Sequence, residues 1–213
     1  MASHFVRSGV LKELSASHKA GIMKICIGIP TNRGFKPKTV LSLARLLAYS
    51  KLDYFITIPT EGFNTAENRN LTVAQAIKNN CTHILFSDDD MAYPENTLEQ
   101  LLSHDKDIIG ALYNIRRLPP ALVIEYLEDG VKSDEEAKLQ TEPFRCKAIG
   151  TGFLLVKIEV FSKLQSPFFG YKWNDNGSVK MSTDWFFLEK VREAGYEVWA
   201  APLQIKHLGE YEF

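Results

Sequence analysis

Short, almost wholly apolar runs alternate with amphipathic stretches through the first half of the chain. "IMKICIGIP" (22–30), "DYFITIP" (53–59), residues 82–87 and "DIIGALY" (107–113) place apolar residues consecutively rather than at every second position. Runs of this kind predict strands buried on both faces. Between them, "KPKTVLSLARLLAYS" (36–50) spaces Val40, Leu43, Ala44 and Leu47 at helical intervals, with Pro37 near its start. "TAENRNLTVAQAIKNN" (65–80) predicts a helix with Thr65 as N-cap and Leu71, Ala74 and Ile77 facing inward. A further helix is expected from about 94 to 103. Strand alternating with helix predicts an α/β fold: a mostly parallel central sheet with helices on both faces.

The pattern loosens after residue 113. "LEDGVKSDEEAKLQTEP" (127–143) is polar and acidic, and reads as a hairpin tip or a mobile loop. "FRCKAIGTGFLLVKIEVFSKL" (144–164) sets two glycines around Thr151 between apolar stretches. Asn176–Gly177 signals a turn. "STDWFFLEKVREAGYEVWAAP" (182–202) predicts a helix stopping at Gly195, then a strand over 196–200. No stretch reads as a linker, so residues 22–213 form one domain preceded by an arm, 1–21.

Composition changes this picture little. With 213 residues, 45% hydrophobic and 24% charged, the chain can bury a core without staples. A formal net charge of -1 gives no general case for nucleic acid or an anionic membrane. The three cysteines, Cys26, Cys81 and Cys146, form no CxxC pair and predict reduced thiols in a reducing compartment. No run approaches the ~18 apolar residues of a membrane span, and the first twenty residues lack a signal peptide's apolar core. A soluble, cytoplasmic protein is expected.

The chemistry enters at "HILFSDDDMAYPENTLEQLL", where Asp88, Asp89 and Asp90 crowd the exit of a buried strand. Ligands of open parallel sheets bind beyond the carboxyl ends of the strands. Pro30, Thr31, Asn32 and Arg33, then Thr60–Gly62, then Asp88–Asp90 all fall at such ends. Carboxylates at i and i+2 can share one hard cation and leave room for phosphate and water. A bound cation would offset their mutual repulsion. The competing reading is a solvated turn.

Five segments together resemble nucleotide-sugar-dependent glycosyltransferases of the GT-A fold, close to the family 2 type. They are "ICIGIPTNRG", "AENRNLTVAQAIKNNCTHILFSDDDMAYPENTLEQLL", "DIIGALYNIRR", "GTGFLLVKIEVF" and "TDWFFLEKVREAGYEVWAAPLQIKHLG", running from Ile25 to Gly209 in order. The resemblance implies a nucleotide-binding half, 22–113, and an acceptor-binding half, 114–213. It implies that Asp88 and Asp90 are the Asp-x-Asp metal motif, with Asp90 on the metal, Asp88 on the ribose or the metal, and Asp89 at the variable position. Pro30, Thr31, Asn32 and Arg33, with Asp88 and Asp89, would hold the donor, and Arg69 and Asn70 would line the diphosphate side. For Arg69 a solvated helix face is the alternative. Gly150, Thr151 and Gly152 would flank the sugar, or serve only as a tight turn.

His207 would complete the metal site, with surface placement as its alternative. The ligands suit Mn2+ or Mg2+. Asp184 would be the general base toward the acceptor, although Thr183 stands where the family often has an acid. Trp185 would stack on a sugar or pack in the core. Arg116 and Arg117 would meet donor phosphates, an anionic acceptor or solvent. The implied activity is metal-dependent transfer of a sugar (EC 2.4 type) from a UDP- or GDP-sugar to an acceptor, a small molecule or a modified nucleobase among the candidates. A nucleotidyltransferase is the first rival. It would normally carry a Gly-rich basic loop after its first strand, whereas "IPTNRGFKPK" has only Gly34. The second is an inactive nucleotide-sugar-binding module.

Overall fold

The computed structural model describes residues 23–31, 34–58 and 64–209. The expected arm 1–21, the donor candidates Asn32 and Arg33, and the rim residues Thr60–Gly62 lie outside them. The central sheet contains β1 (Lys24–Gly28), β2 (Asp53–Thr57), β3 (His83–Ser87), β5 (Ile108–Leu112), β7 (Phe144–Cys146), β9 (Phe153–Lys157) and β12 (Val198–Gln204). Three small ribbons surround it. They pair β4 (Met91–Ala92) with β13 (Lys206–His207), β6 (Ile124–Glu125) with β8 (Ala148–Ile149), and β10 (Lys172–Trp173) with β11 (Val179–Met181).

The sheet order is β2-β1-β3-β9-β5-β12-β7. β1 lies parallel to β2 and β3, and β5 parallel to β12. β9 runs antiparallel between β3 and β5, and β7 is antiparallel at the edge. The sheet is thus mostly parallel, with a reversed strand at its centre.

Alternation along each strand explains the continuous apolar runs. Cys26, Ile84, Phe86, Leu154 and Val156 enter one core; Ile25, Ile27, Leu85, Phe153 and Leu155 enter the other. The first core is closed by α2 (Thr65–Lys78) and α5 (Thr183–Glu193), through Val73, Ala76, Phe187 and Leu188. The second is closed by α1 (Pro37–Tyr49) and α3 (Thr97–Ser103), through Leu46, Leu98 and Leu101. Each large side chain so enclosed stabilises the fold by roughly 1.5–3 kcal/mol relative to exposure.

Two helices are rotated from their expected faces. In α1 the buried positions are Thr39, Ser42 and Leu46, while Val40 is 51% exposed and Ala44 is exposed; Leu43 and Leu47 are only half-buried. Ser42 Oγ accepts the Tyr93 amide at 3.1 Å, so a polar residue takes the inward place. In α2 the cap is Asn64, whose side chain accepts the Glu67 amide at 3.0 Å, rather than Thr65. Its inward face is Ala66, Asn68, Arg69, Thr72, Val73 and Ala76, and Ala74 is exposed. Close approach to β1 fixes that rotation: a Cβ at Gly28 would lie 2.2 Å from Thr72 Cγ2.

The acidic stretch expected as a hairpin tip or mobile loop includes a short helix, α4 (Asp134–Lys138). The Asp134 carboxylate accepts the Leu122 amide and the Tyr126 hydroxyl, each at 2.7 Å, and fastens this segment to the strands before it. The Asn176–Gly177 turn joins β10 to β11, and α5 gives way at Gly195, whose φ is +86°. Among the described residues no helix is long and apolar enough to cross a membrane.

Candidate active site

Because β1, β3, β5 and β12 point the same way, their carboxyl ends meet on one rim. A cleft of about 610 Å³ opens there, lined by Pro30, Thr31, Lys36, Asn68, Asp88, Asp89, Asp90, Arg116 and His207 among others. The three aspartates diverge within it. Their backbone is strapped from three segments: Asp88 N donates to Gly152 O at 2.9 Å, Lys36 N to Asp89 O at 3.0 Å, and Leu208 N to Asp90 O at 2.7 Å. The chain turns at Asp89–Asp90, so Asp88 and Asp90 do not share a side as they would on an extended strand, and each carboxylate finds different company.

Asp88 turns inward. Its Oδ1 accepts from Arg69 Nη2 at 2.9 Å, while Arg69 Nη1 donates to Asp184 Oδ1 at 2.5 Å. Thr151 N donates to Asp184 Oδ2 at 3.2 Å. Arg69 is only 2% exposed, so the solvated-face alternative is excluded. Burial would lower its pKa, but Asp184 and Asp88 outweigh this and raise it. For Asp88, burial pushes the carboxyl up despite Arg69. One guanidinium therefore fastens β3, α2, α5 and the Gly150–Gly152 turn together.

Asp89 takes the Thr31 hydroxyl as a hydrogen-bond donor, joining the ends of β1 and β3. Burial raises its carboxyl too. Asp90 faces the cleft's far side, where Arg116 Nη1 lies 2.8 Å from Oδ2 and His207 Nε2 lies 3.3 Å from Oδ1. Burial would raise Asp90, but His207 and Arg116 prevail and hold it below its ordinary value. The β4–β13 pairing sets Met91 opposite His207 and delivers the imidazole to the aspartate.

Asp90 and His207 fit a divalent cation. His207 Nδ1 lies 3.1 Å from Asn114 O; a proton on Nε2 serves Asp90, whereas the tautomer that donates from Nδ1 to Asn114 O frees the Nε2 lone pair for a cation. Asp90 Oδ1 is buried without a hydrogen-bond donor. One carboxylate and one imidazole are a partial ligand set of the kind that substrate phosphates and water complete. Among the described residues no group of three or more His, Cys, Asp or Glu side chains could hold a metal by itself.

Other expected residues sit outside the cleft lining. Asn70 turns to the core side: its amide nitrogen donates to Ala66 O and Phe169 O, and its oxygen accepts the Phe168 and Phe169 amides. Trp185 Nε1 donates to Glu125 Oε2 at 2.7 Å and its ring packs against the first core. Gly150, Thr151 and Gly152 pack beneath the aspartates. Tyr113, which sequence reasoning treated only as a strand end, explains both glycines. Its hydroxyl accepts the Gly152 amide at 2.9 Å, and a Cβ at Gly150 would sit 1.9 Å from that oxygen. Lys36, Thr65 and Asn68 were also missed as cleft residues, because cap and helix-start positions carry no signal of which way they face.

No family model matches the sequence, and no curated protein matches it. Solved structures do. A197 from STIV superposes with a TM-score of 0.60 at 16% identity, over 88% of this chain and 86% of that one. GalNAc-T7, solved with UDP, GalNAc and Mn2+, superposes with a TM-score of 0.53 at 13% identity, over 90% of this chain and 44% of that one. At such identities the likeness speaks for architecture. The chain has the GT-A-like fold of nucleotide-sugar transferases.

Proposed function

We propose that this protein is a divalent-metal-dependent glycosyltransferase that moves a sugar from a nucleoside diphosphate, a UDP- or GDP-sugar, to an acceptor. The observation that carries this reading is the convergence of Asp90 and His207, 3.3 Å apart, in the cleft at the strand exits. The presence of UDP and Mn2+ in the GalNAc-T7 structure supports the choice of ligands. Pro30 and Thr31, tied to Asp89, offer the nucleoside side of the cleft. Asp90 and His207 would hold Mn2+ or Mg2+, which would stabilise the diphosphate as a leaving group.

Asp184 is the proposed base toward the acceptor. Its side chain keeps 18% exposure at the start of α5. Each carboxylate oxygen has a second lone pair beyond its bond to Arg69 or to Thr151 N. The Arg69 clamp fixes its distance from Asp88, and hence from the donor.

The test is a screen of nucleotide-sugar turnover with Mn2+ across UDP, GDP and dTDP donors. We expect nucleoside diphosphate to be released from one donor class and release to be abolished by EDTA. Pyrophosphate release from a nucleoside triphosphate and a sugar phosphate would instead identify a nucleotidyltransferase. Donor binding without any turnover would identify a binding module.

A further inference from the structure

We infer that Arg116 occupies the cation position in the ligand-free protein, and that metal binding transfers its guanidinium from Asp90 to the donor diphosphate. This rests on the proposed metal site. Asp90 is approached from two sides, by Arg116 at 2.8 Å and by His207 at 3.3 Å. A guanidinium has five donors and no lone pair, so it cannot share a metal. A cation held on Asp90 would meet Arg116 as a like charge at contact range. One of the groups must move.

Two of the three are pinned. Asp90 keeps only 12% side-chain exposure, and its carbonyl accepts the Leu208 amide at 2.7 Å. His207 lies in β13, paired with β4, with Nδ1 against Asn114 O. Arg116 differs. Its side chain is 45% exposed, and residues 115–120 are all exposed. The loop is closed at its base by Ile115 N donating to Ala121 O at 2.8 Å and Val123 N to Tyr113 O at 2.9 Å. The base stays put while the Arg116 side chain can turn.

The nearest new partner is the anion that arrives with the metal. Phosphate oxygens match the planar guanidinium fork, and Arg116 already lines the cleft. The exchange orders binding: metal without nucleotide displaces Arg116 to no advantage, whereas metal with diphosphate gives it phosphate oxygens in place of the carboxylate. It also explains how a buried aspartate with an incomplete ligand set remains charge-balanced between turnovers.

The test separates two affinities in wild type, Arg116→Ala, Arg116→Lys and Asp90→Ala. Mn2+ binding alone is followed by the paramagnetic resonance signal of free Mn2+. UDP and GDP binding at saturating Mn2+ is followed by calorimetry. Arg116→Ala should bind Mn2+ alone roughly fivefold tighter, as loss of a half-exposed competing pair implies. It should bind the preferred nucleoside diphosphate about tenfold more weakly, having lost a charged hydrogen-bond donor. Arg116→Lys should fall between on both measures. If Arg116→Ala leaves Mn2+ affinity unchanged or lowers it, the exchange is overturned, and the metal reading survives provided Asp90→Ala abolishes Mn2+ binding. If neither wild type nor Arg116→Ala binds Mn2+, both fall together.

Discussion

Two ion-pair clusters share the aspartate triplet and are built on opposite principles. The inner one centres on the buried Arg69 guanidinium, which bridges Asp88 and Asp184, with the Thr151 amide donating to Asp184 as well. The outer one centres on the buried Asp90, met by the half-exposed Arg116 and by His207, and leaves Asp90 Oδ1 without a hydrogen-bond donor. A buried cation bridging two carboxylates specifies one arrangement; a carboxylate oxygen without a donor keeps capacity for a ligand. Stability should therefore reside in the inner cluster and binding in the outer one, with substitutions in the two failing in different assays.

The largest expected effect is at Arg69. Arg69→Met fills the space but strands two carboxylates, and removing one partner of a buried pair is strongly destabilising. We expect a loss of about 3 kcal/mol by denaturant titration, the lower end for such a break, since Asp88 keeps 29% side-chain exposure. Unchanged stability would erase the contrast between the clusters.

Asp90→Ala should do the reverse. Metal-dependent nucleotide affinity should fall roughly 100-fold, while the denaturation midpoint stays nearly unchanged. Full nucleotide binding in EDTA, or by the variant, would remove the outer cluster from function.

Asp184→Asn straddles the comparison, because Asp184 belongs to the inner cluster and is also the proposed base. Turnover should fall roughly 10²-fold with donor affinity nearly constant, as loss of a general base requires. If turnover survives and only stability drops, Asp184 serves Arg69 alone.

Asn70→Ala gives the smallest effect. Its amide ties α2 to the backbone of Phe168 and Phe169. We expect a loss of about 1–2 kcal/mol, with donor affinity unchanged in calorimetry. A donor-binding defect at constant stability would return Asn70 to the diphosphate side, where the family resemblance placed it.

Much of the fold was legible in the sequence because burial on both faces leaves so plain a trace: β5 is apolar at every position, and β1 and β3 are apolar except at Lys24, His83 and Ser87. The longer helices were equally plain in existence, but the short α4 was not, nor was helix rotation. Ser42, Arg69 and Thr72 look like surface residues until their partners are known, and those partners, Tyr93, Asp88, Asp184 and Gly28, lie elsewhere in the chain. The site followed the same division. The triplet announces itself at a strand exit, whereas its partition into an inner and an outer cluster depends on Arg116 and His207, brought in by separate segments. Tyr113 was hidden because a tyrosine ending an apolar run reads as core, which its ring is and its hydroxyl is not.

The reversed strand β9 carries a consequence for how the chain acquires its shape during synthesis. β3 and β5 are made early, yet in the finished sheet they do not touch each other; β9, from residues 153–157, lies between them. A nascent chain that has passed β5 but not reached residue 157 therefore holds two facing, unpaired strand edges, both apolar. Pairing them directly would close the sheet one strand short and leave β9 no place. Unpaired edges of this kind invite association with other chains. The polar, acidic stretch 127–143, emerging just before β9, has the composition to keep such a chain apart from its neighbours until the missing strand arrives.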